Sequence, residues 1–249
     1  MSAALICATS DEYTRCRDCL NAVTERELKN RRISTWSDET IVTTIIYAGP
    51  GKIQCASAAQ LLIDEFSPDL VIDSGSAGSL DPSNQIGCIV ISEKCFEYDI
   101  CPVEQFARLS QDLTTSTIAA HPDKRIREIL TEFSSYVVES KLIPSVKFGN
   151  IASGERNVAD AADRERLRIA FNALACNWET AAVLKTAALN GIPSLSIRVI
   201  TDKADENASN DYRDNLNRSL EILGRFLKAF ICEGWACKII SMSRGDYGC

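Results

Sequence analysis

Four short stretches of the 249-residue chain place polar and acidic groups where an apolar run ends. They are Thr9-Ser10-Asp11-Glu12, Gly75-Ser76-Ala77-Gly78, Trp178-Glu179 and Thr201-Asp202-Lys203-Ala204-Asp205. Three of them present carboxylates, and no metal-ligand spacing accompanies these. Carboxylates converging without a metal suit general acid/base work and the recognition of sugar hydroxyls. The competing reading is that acids placed after strands only cap the helices that follow.

Other chemistries find less support. The single histidine, His121, precedes Pro122 and reads as a loop or helix-entry residue, with no serine or cysteine motif beside it for a hydrolytic triad. The N-terminus, MSAALICATSDEYTRC, lacks the features of an export signal, so the 11 cysteines are expected as reduced thiols. Cys16-Arg17-Asp18-Cys19 has CxxC spacing, but no second pair completes a zinc site, and Cys7, Cys55, Cys88 and Cys176 sit in apolar runs as small hydrophobes. No metal and no cofactor are expected.

For the four stretches to meet, strand ends must converge, and the patterning supplies the strands. Apolar β-branched runs at Ala4–Ala8, Ile33–Trp36, Ile41–Ala48, Asp69–Asp73, Gly87–Ser92, Val146–Ala152, Leu174–Trp178 and Ser194–Ile200 read as strands. Between them, helices are expected near Asp11–Ala22, Lys52–Phe66, Asp123–Ser134, Ala161–Phe171, Thr180–Asn190 and Asp211–Ile231. Asp69–Asp73 is read as a short central strand running into a glycine loop, and 101–117 as an irregular connection. This alternation predicts an α/β fold: a single three-layer α/β/α domain over 1–235 around a central mixed β-sheet, with a frayed tail over 236–249. In such folds functional groups collect at the carboxyl ends of strands.

Composition removes further classes. Lys plus Arg number 27 against 34 Asp plus Glu, a net charge of −7, and no basic run reaches five residues. Phosphate counterion release offers such a chain nothing, so nucleic acid is not an expected partner. Hydrophobic residues at 45% and charged residues at 24% fit a packed globule. No stretch approaches the roughly 18 apolar residues of a spanning helix, so no membrane partner is expected and the location is read as cytoplasmic.

Taken together, several segments resemble the purine nucleoside phosphorylase/nucleosidase superfamily, and within it the 5′-methylthioadenosine/S-adenosylhomocysteine nucleosidase branch. They are Gly49-Pro50-Gly51-Lys52, Pro68 to Leu80 with its Ser74-Gly75-Ser76-Ala77-Gly78, Ile151-Ala152-Ser153-Gly154-Glu155, Asn177-Trp178-Glu179-Thr180-Ala181-Ala182 and Arg198 to Asp205. The match runs from Leu5 to about Leu227 in the family's order. It implies a nucleoside phosphorylase-like fold and cleavage of an N-glycosidic bond, for which the enzyme must protonate the base, hold the ribose and deliver a nucleophile. By the resemblance, Asp202 is the general acid toward N7 of the purine and Glu12 the base that activates water. Glu179, with Trp178 and Ser76, would hold the ribose. Asn157, Val158, Tyr212 and Ala204 would bind the base, and Gly78 would shape the loop by the sugar and water. The resemblance also implies a small-molecule nucleoside as partner and a homodimer.

Where phosphorylases of the superfamily place a phosphate-binding arginine, before the Gly-Ser turn, this chain has Asp73-Ser74. An added acid repels phosphate, so water is the expected nucleophile. Asn157 stands where the nucleosidases carry an aromatic residue, and Trp178 where they carry methionine. Futalosine-type hydrolysis, phosphorolysis and a non-catalytic nucleoside-binding or storage role are the alternatives.

Overall fold

The structure, a computed structural model, describes residues 1–100, 117–119 and 124–245. His121 and nearly all of the connection expected over 101–117 lie outside the described residues.

The strands are β1 (Ser2–Cys7), β2 (Thr24–Leu28), β3 (Arg31–Ser37), β4 (Val42–Tyr47), β5 (Leu70–Ser79), β6 (Ile89–Glu97), β7 (Thr117–Ala119), β8 (Val146–Ser153), β9 (Ala173–Asn177) and β10 (Ser194–Asp202). The helices are α1 (Ser10–Leu20), α2 (Lys52–Phe66), α3 (Lys124–Glu139), α4 (Ala161–Phe171), α5 (Thr180–Leu189), α6 (Ala208–Cys232) and α7 (Trp235–Arg244). All ten strands join one mixed sheet in the order β10-β6-β8-β9-β5-β1-β4-β3-β2, with β7 beside β6.

Strand alternation explains the layering, because successive side chains point to opposite faces. Leu5, Cys7, Ile45 and Ile72 face a core completed by Phe133, Leu223, Phe226 and Phe230 of α3 and α6. Their neighbours Ala4, Ile6, Ile46 and Val71 face the other side, against Cys55, Ala59 and Leu62 of α2 and Val183 of α5. The mixed sheet flanked by helices is the expected fold class. To it the structure adds a ring: β5 pairs with β10 as well as with β9, so β5, β10, β6, β8 and β9 close on themselves.

Three expectations are corrected. Gly75 to Gly78 is not a loop beyond a short strand but part of β5, which runs ten residues and pairs with β10 as far as Gly78. Neither glycine has a positive φ, so they serve close approach rather than a turn. In its described part the expected frayed tail is instead helix α7. Gly234, at φ 81°, breaks the chain after α6, and buried Trp235, Ala236, Ile239 and Ile240 then seat a new helix on the core. Strand β2 was not anticipated, since TEREL is exposed along nearly its whole length and carries no apolar alternation.

Candidate active site

The carboxyl ends of strands running in opposite senses meet because β9 pairs antiparallel with β5 only at the tips, Gly78 against Cys176 and Ser79 against Ala175. The residues after β9 therefore face those after β1, β5 and β10. Between them lies a cavity of about 590 Å³, lined among others by Glu12, Ser76, Glu179, Asp202 and Tyr212.

Glu12 sits in the first turn of α1 and closes a capping box with Thr9: its carboxylate accepts from Thr9 N at 2.9 Å, and Thr9 Oγ1 accepts from Glu12 N at 3.3 Å. The same carboxylate accepts from Ser76 N at 2.8 Å and from Ser76 Oγ at 2.9 Å. The helix cap and part of the cavity wall are thus one side chain. A Cβ on Gly75 would lie 2.5 Å from Glu12 Oε1, which is why β5 carries glycine there.

Glu179 opens α5, and the turn before it is held by Asn177, whose Oδ1 accepts from Glu179 N and Thr180 N, both at 3.1 Å. Its carboxylate accepts from Gly51 N at 3.2 Å at the start of α2, and its other oxygen is 3.8 Å from Arg198 Nη1. Burial pushes its carboxyl up to about 6; Arg198 and the Gly51 N–H pull against the shift, while Glu12 and Asp73 add to it.

Asp202 ends β10. Its Oδ1 accepts from Ala204 N at 2.9 Å and its Oδ2 from Thr201 Oγ1 at 2.9 Å. Burial raises its pKa above the ordinary carboxylate value despite these two donors, and Asp211 and Asp205 add to the rise. A Cβ on Gly78 would come within 2.8 Å of Asp202 Oδ1. Asp202 makes no ion pair among the described residues and lines the same cavity as Glu179 and Glu12.

Asn157, Val158, Trp178, Ser76, Gly78 and Tyr212 also line the cavity. Burial and then Glu12 push the Tyr212 phenol up to about 12, with a hydrogen bond between Tyr212 and Ser76 opposing the shift. Ala204 is the exception: it is buried outside the lining, and its left-handed backbone (φ 49°) turns its N–H back onto Asp202. Its observed partner is Asp202.

Sequence reading passed over Tyr98, which lines the cavity and bonds through its hydroxyl to Gly154 O at 2.9 Å and Arg156 O at 2.6 Å. It also passed over a buried ion pair, Arg198 with Asp73. The signal was available: each is a charge set within a buried strand, Asp73 after Leu70-Val71-Ile72 and Arg198 between Ile197 and Val199. Among the described residues no cluster of His, Cys, Asp and Glu could hold a metal ion.

A sequence profile of the phosphorylase superfamily matches residues 2–232. The chain belongs to that superfamily. Among curated relatives, the 5′-methylthioadenosine/S-adenosylhomocysteine nucleosidase of Buchnera aphidicola is 27% identical over 233 residues, covering 93% of this chain and 97% of the relative. The aminodeoxyfutalosine nucleosidase of Campylobacter jejuni is 25% identical over 227 residues, covering 91% and 96%. The fold is also that of the futalosine hydrolase of Helicobacter pylori, with a TM-score of 0.81 at 22% identity over 94% of this chain and 98% of that one. Membership in the superfamily agrees with the alternating pattern of its sequence and with the mixed sheet its strands build.

Proposed function

We propose that the protein hydrolyses the N-glycosidic bond of a purine nucleoside, with a 5′-thio-substituted adenosine (5′-methylthioadenosine or S-adenosylhomocysteine) as the substrate class. The observation that carries this reading is the convergence of Glu12, Glu179 and Asp202 on one cavity, two of them with carboxyls raised by burial. Asp202 holds a proton in a desolvated site and gives it to N7 as the C1′–N9 bond breaks. Glu179, ionised above about pH 6, accepts from the ribose hydroxyls and faces the developing oxocarbenium charge. Glu12 takes a proton from the water whose oxygen adds to C1′, with Ser76 fixing its carboxylate. The products are free base and the 5′-substituted ribose, and one proton has passed in net from Asp202 to the base and one from water to Glu12.

Water rather than phosphate is supported by Glu12 at the cavity lining, whose charge repels an anion, and by Arg198, whose Nε and Nη2 are committed to Asp73. The test is release of adenine from 5′-methylthioadenosine with and without inorganic phosphate. Release without phosphate is expected; a phosphate requirement, or no release of base from a panel that includes futalosine-type nucleosides, rejects the reading. Trp178 and Asn157 at the lining make that panel the means of defining the 5′ group and base.

We further propose a cytoplasmic homodimer. All nine described cysteines are free thiols, which suits a reducing compartment. Ile53 on α2 and Ile100 after β6 are 81% and 60% exposed, each next in sequence to a member of the Lys52–Asp99 ion pair. Light scattering at twice the chain mass is expected; a monomer rejects it.

A further inference from the structure

Behind the cavity, Asp73 is 1% exposed and accepts from four donors. Thr180 Oγ1 lies at 2.7 Å, Ser196 Oγ at 2.6 Å and Arg198 Nε at 3.0 Å from its Oδ2, and Arg198 Nη2 lies at 2.5 Å from its Oδ1. It does not line the cavity. So complete a set of partners for one carboxylate ties together two elements flanking Glu179.

The first link is through the backbone. Thr180 follows Glu179, and its hydroxyl, while donating to Asp73, accepts from Asn177 Nδ2 at 2.6 Å. Asn177 Oδ1 in turn accepts from Glu179 N. The second link is through the side chain. The guanidinium fork of Arg198 is spent on Asp73 through Nε and Nη2, leaving only Nη1 toward Glu179 at 3.8 Å and toward Ser76 O at 3.3 Å. At 3.8 Å the pair is loose, so the Glu179 oxygens stay available to a ligand.

We infer that Asp73 is a positioning residue: from outside the cavity it fixes the backbone of Glu179 and restrains Arg198 from capturing its carboxylate, and so sets how strongly ribose is distinguished from 2′-deoxyribose. The inference rests on the ribose-holding role proposed for Glu179. The charged and titratable groups facing that carboxylate are Glu12 from α1, Cys55 from α2, Asp73 from β5 and Arg198 from β10. Asp73 is thus one of two buried acids that keep Arg198 from acting on Glu179 alone. Without its charge, Arg198 turns to Glu179 and tightens the loose pair.

The test compares 5′-methylthioadenosine with its 2′-deoxy counterpart, by kcat/KM and by equilibrium binding, in wild type and Asp73→Asn. A charge-assisted hydrogen bond to the 2′-hydroxyl gives wild type a preference of about tenfold or more for ribose. Asp73→Asn is expected to bring that ratio below about threefold, mainly through KM, while the deoxy substrate is still cleaved. A folded Asp73→Asn protein with the wild-type ratio overturns the inference, because loss of stability alone lowers both substrates together. If that variant does not fold, the double variant Thr180→Ala, Ser196→Ala removes two of the donors and leaves every charge. A lowered ratio there supports the inference, and an unchanged ratio overturns it. Binding reports the ratio even if no bond is cleaved, so a failure of the hydrolase reading is told apart from a failure of this one.

Discussion

Replacing Asp202 by asparagine isolates proton donation from everything else that residue does. The side chain is nearly isosteric, and its carbonyl oxygen can still accept from Ala204 N or from Thr201 Oγ1, the two bonds that fix the carboxyl at 2.9 Å. What the amide cannot do is release a proton to a leaving purine. Burial raises the pKa of Asp202 and so favours its acid form, and loss of that donor removes a general-acid contribution of about 10²- to 10⁴-fold. That corresponds to about 3–5 kcal/mol of barrier. Binding of 5′-methylthioadenosine is expected to change less than about threefold, since a proton poised for the transition state adds little to ground-state affinity. Thermal stability should hold or rise, because a buried group that resists ionisation is exchanged for a neutral one. The assay is single-turnover release of adenine beside equilibrium titration with the same nucleoside. Turnover within about threefold of wild type, with binding intact, would refute the assignment of Asp202 as the acid.

Glu12→Gln can keep the capping box with Thr9 or the bond from Ser76 N but not both, so stability should fall by about 1–3 kcal/mol while hydrolysis falls by about 10²-fold or more; a collapse in stability with turnover retained would make Glu12 only a cap. Because Glu179 must be ionised to accept from the sugar, kcat/KM should rise with pH through about 6, and a flat profile between pH 5 and 7 contradicts this. The same carboxyl is raised in the folded state from 4.5 to about 6, so its contribution to stability is present below the unfolded value and lost as pH rises through 6. Glu179→Gln should therefore gain about 2 kcal/mol over wild type between pH 4.5 and pH 7 in chemical denaturation, and a pH-independent difference rejects it. Gly78→Ala places a methyl 2.8 Å from Asp202 Oδ1 and should cost about 1–3 kcal/mol of stability and most of the activity; a fully active variant would show that the strand has room to spare.

The acids that line the cavity were legible because each ends an apolar run, where strand periodicity stops and a helix begins. Glu12, Glu179 and Asp202 could be placed at strand ends without coordinates, and their convergence needed only the superfamily's chain order. What strand patterning could not convey is partnership. Asp73 and Arg198 each interrupt a buried strand, and only the β5–β10 pairing shows that the two interruptions answer one another. The glycines of β5 were misread for a related reason: a glycine needed for a bend and one needed for a neighbour's approach look alike in sequence. For Ala204, expected at the base, nothing in the sequence signals the left-handed backbone that turns its N–H onto Asp202. The last helix was missed because Trp235, Ala236, Ile239 and Ile240 form too short a pattern to stand out once Gly234 has broken the longer one.

The tip-to-tip seam between β5 and β9 has a thermodynamic corollary. One wall of the cleft hangs from strands running one way and the facing wall from strands running the other, and both are stitched into the same hydrogen-bonded hoop. Neither wall can loosen while the other stays in register, so denaturant should abolish catalysis and the far-ultraviolet sheet signal in a single step, with no dormant yet folded intermediate between them.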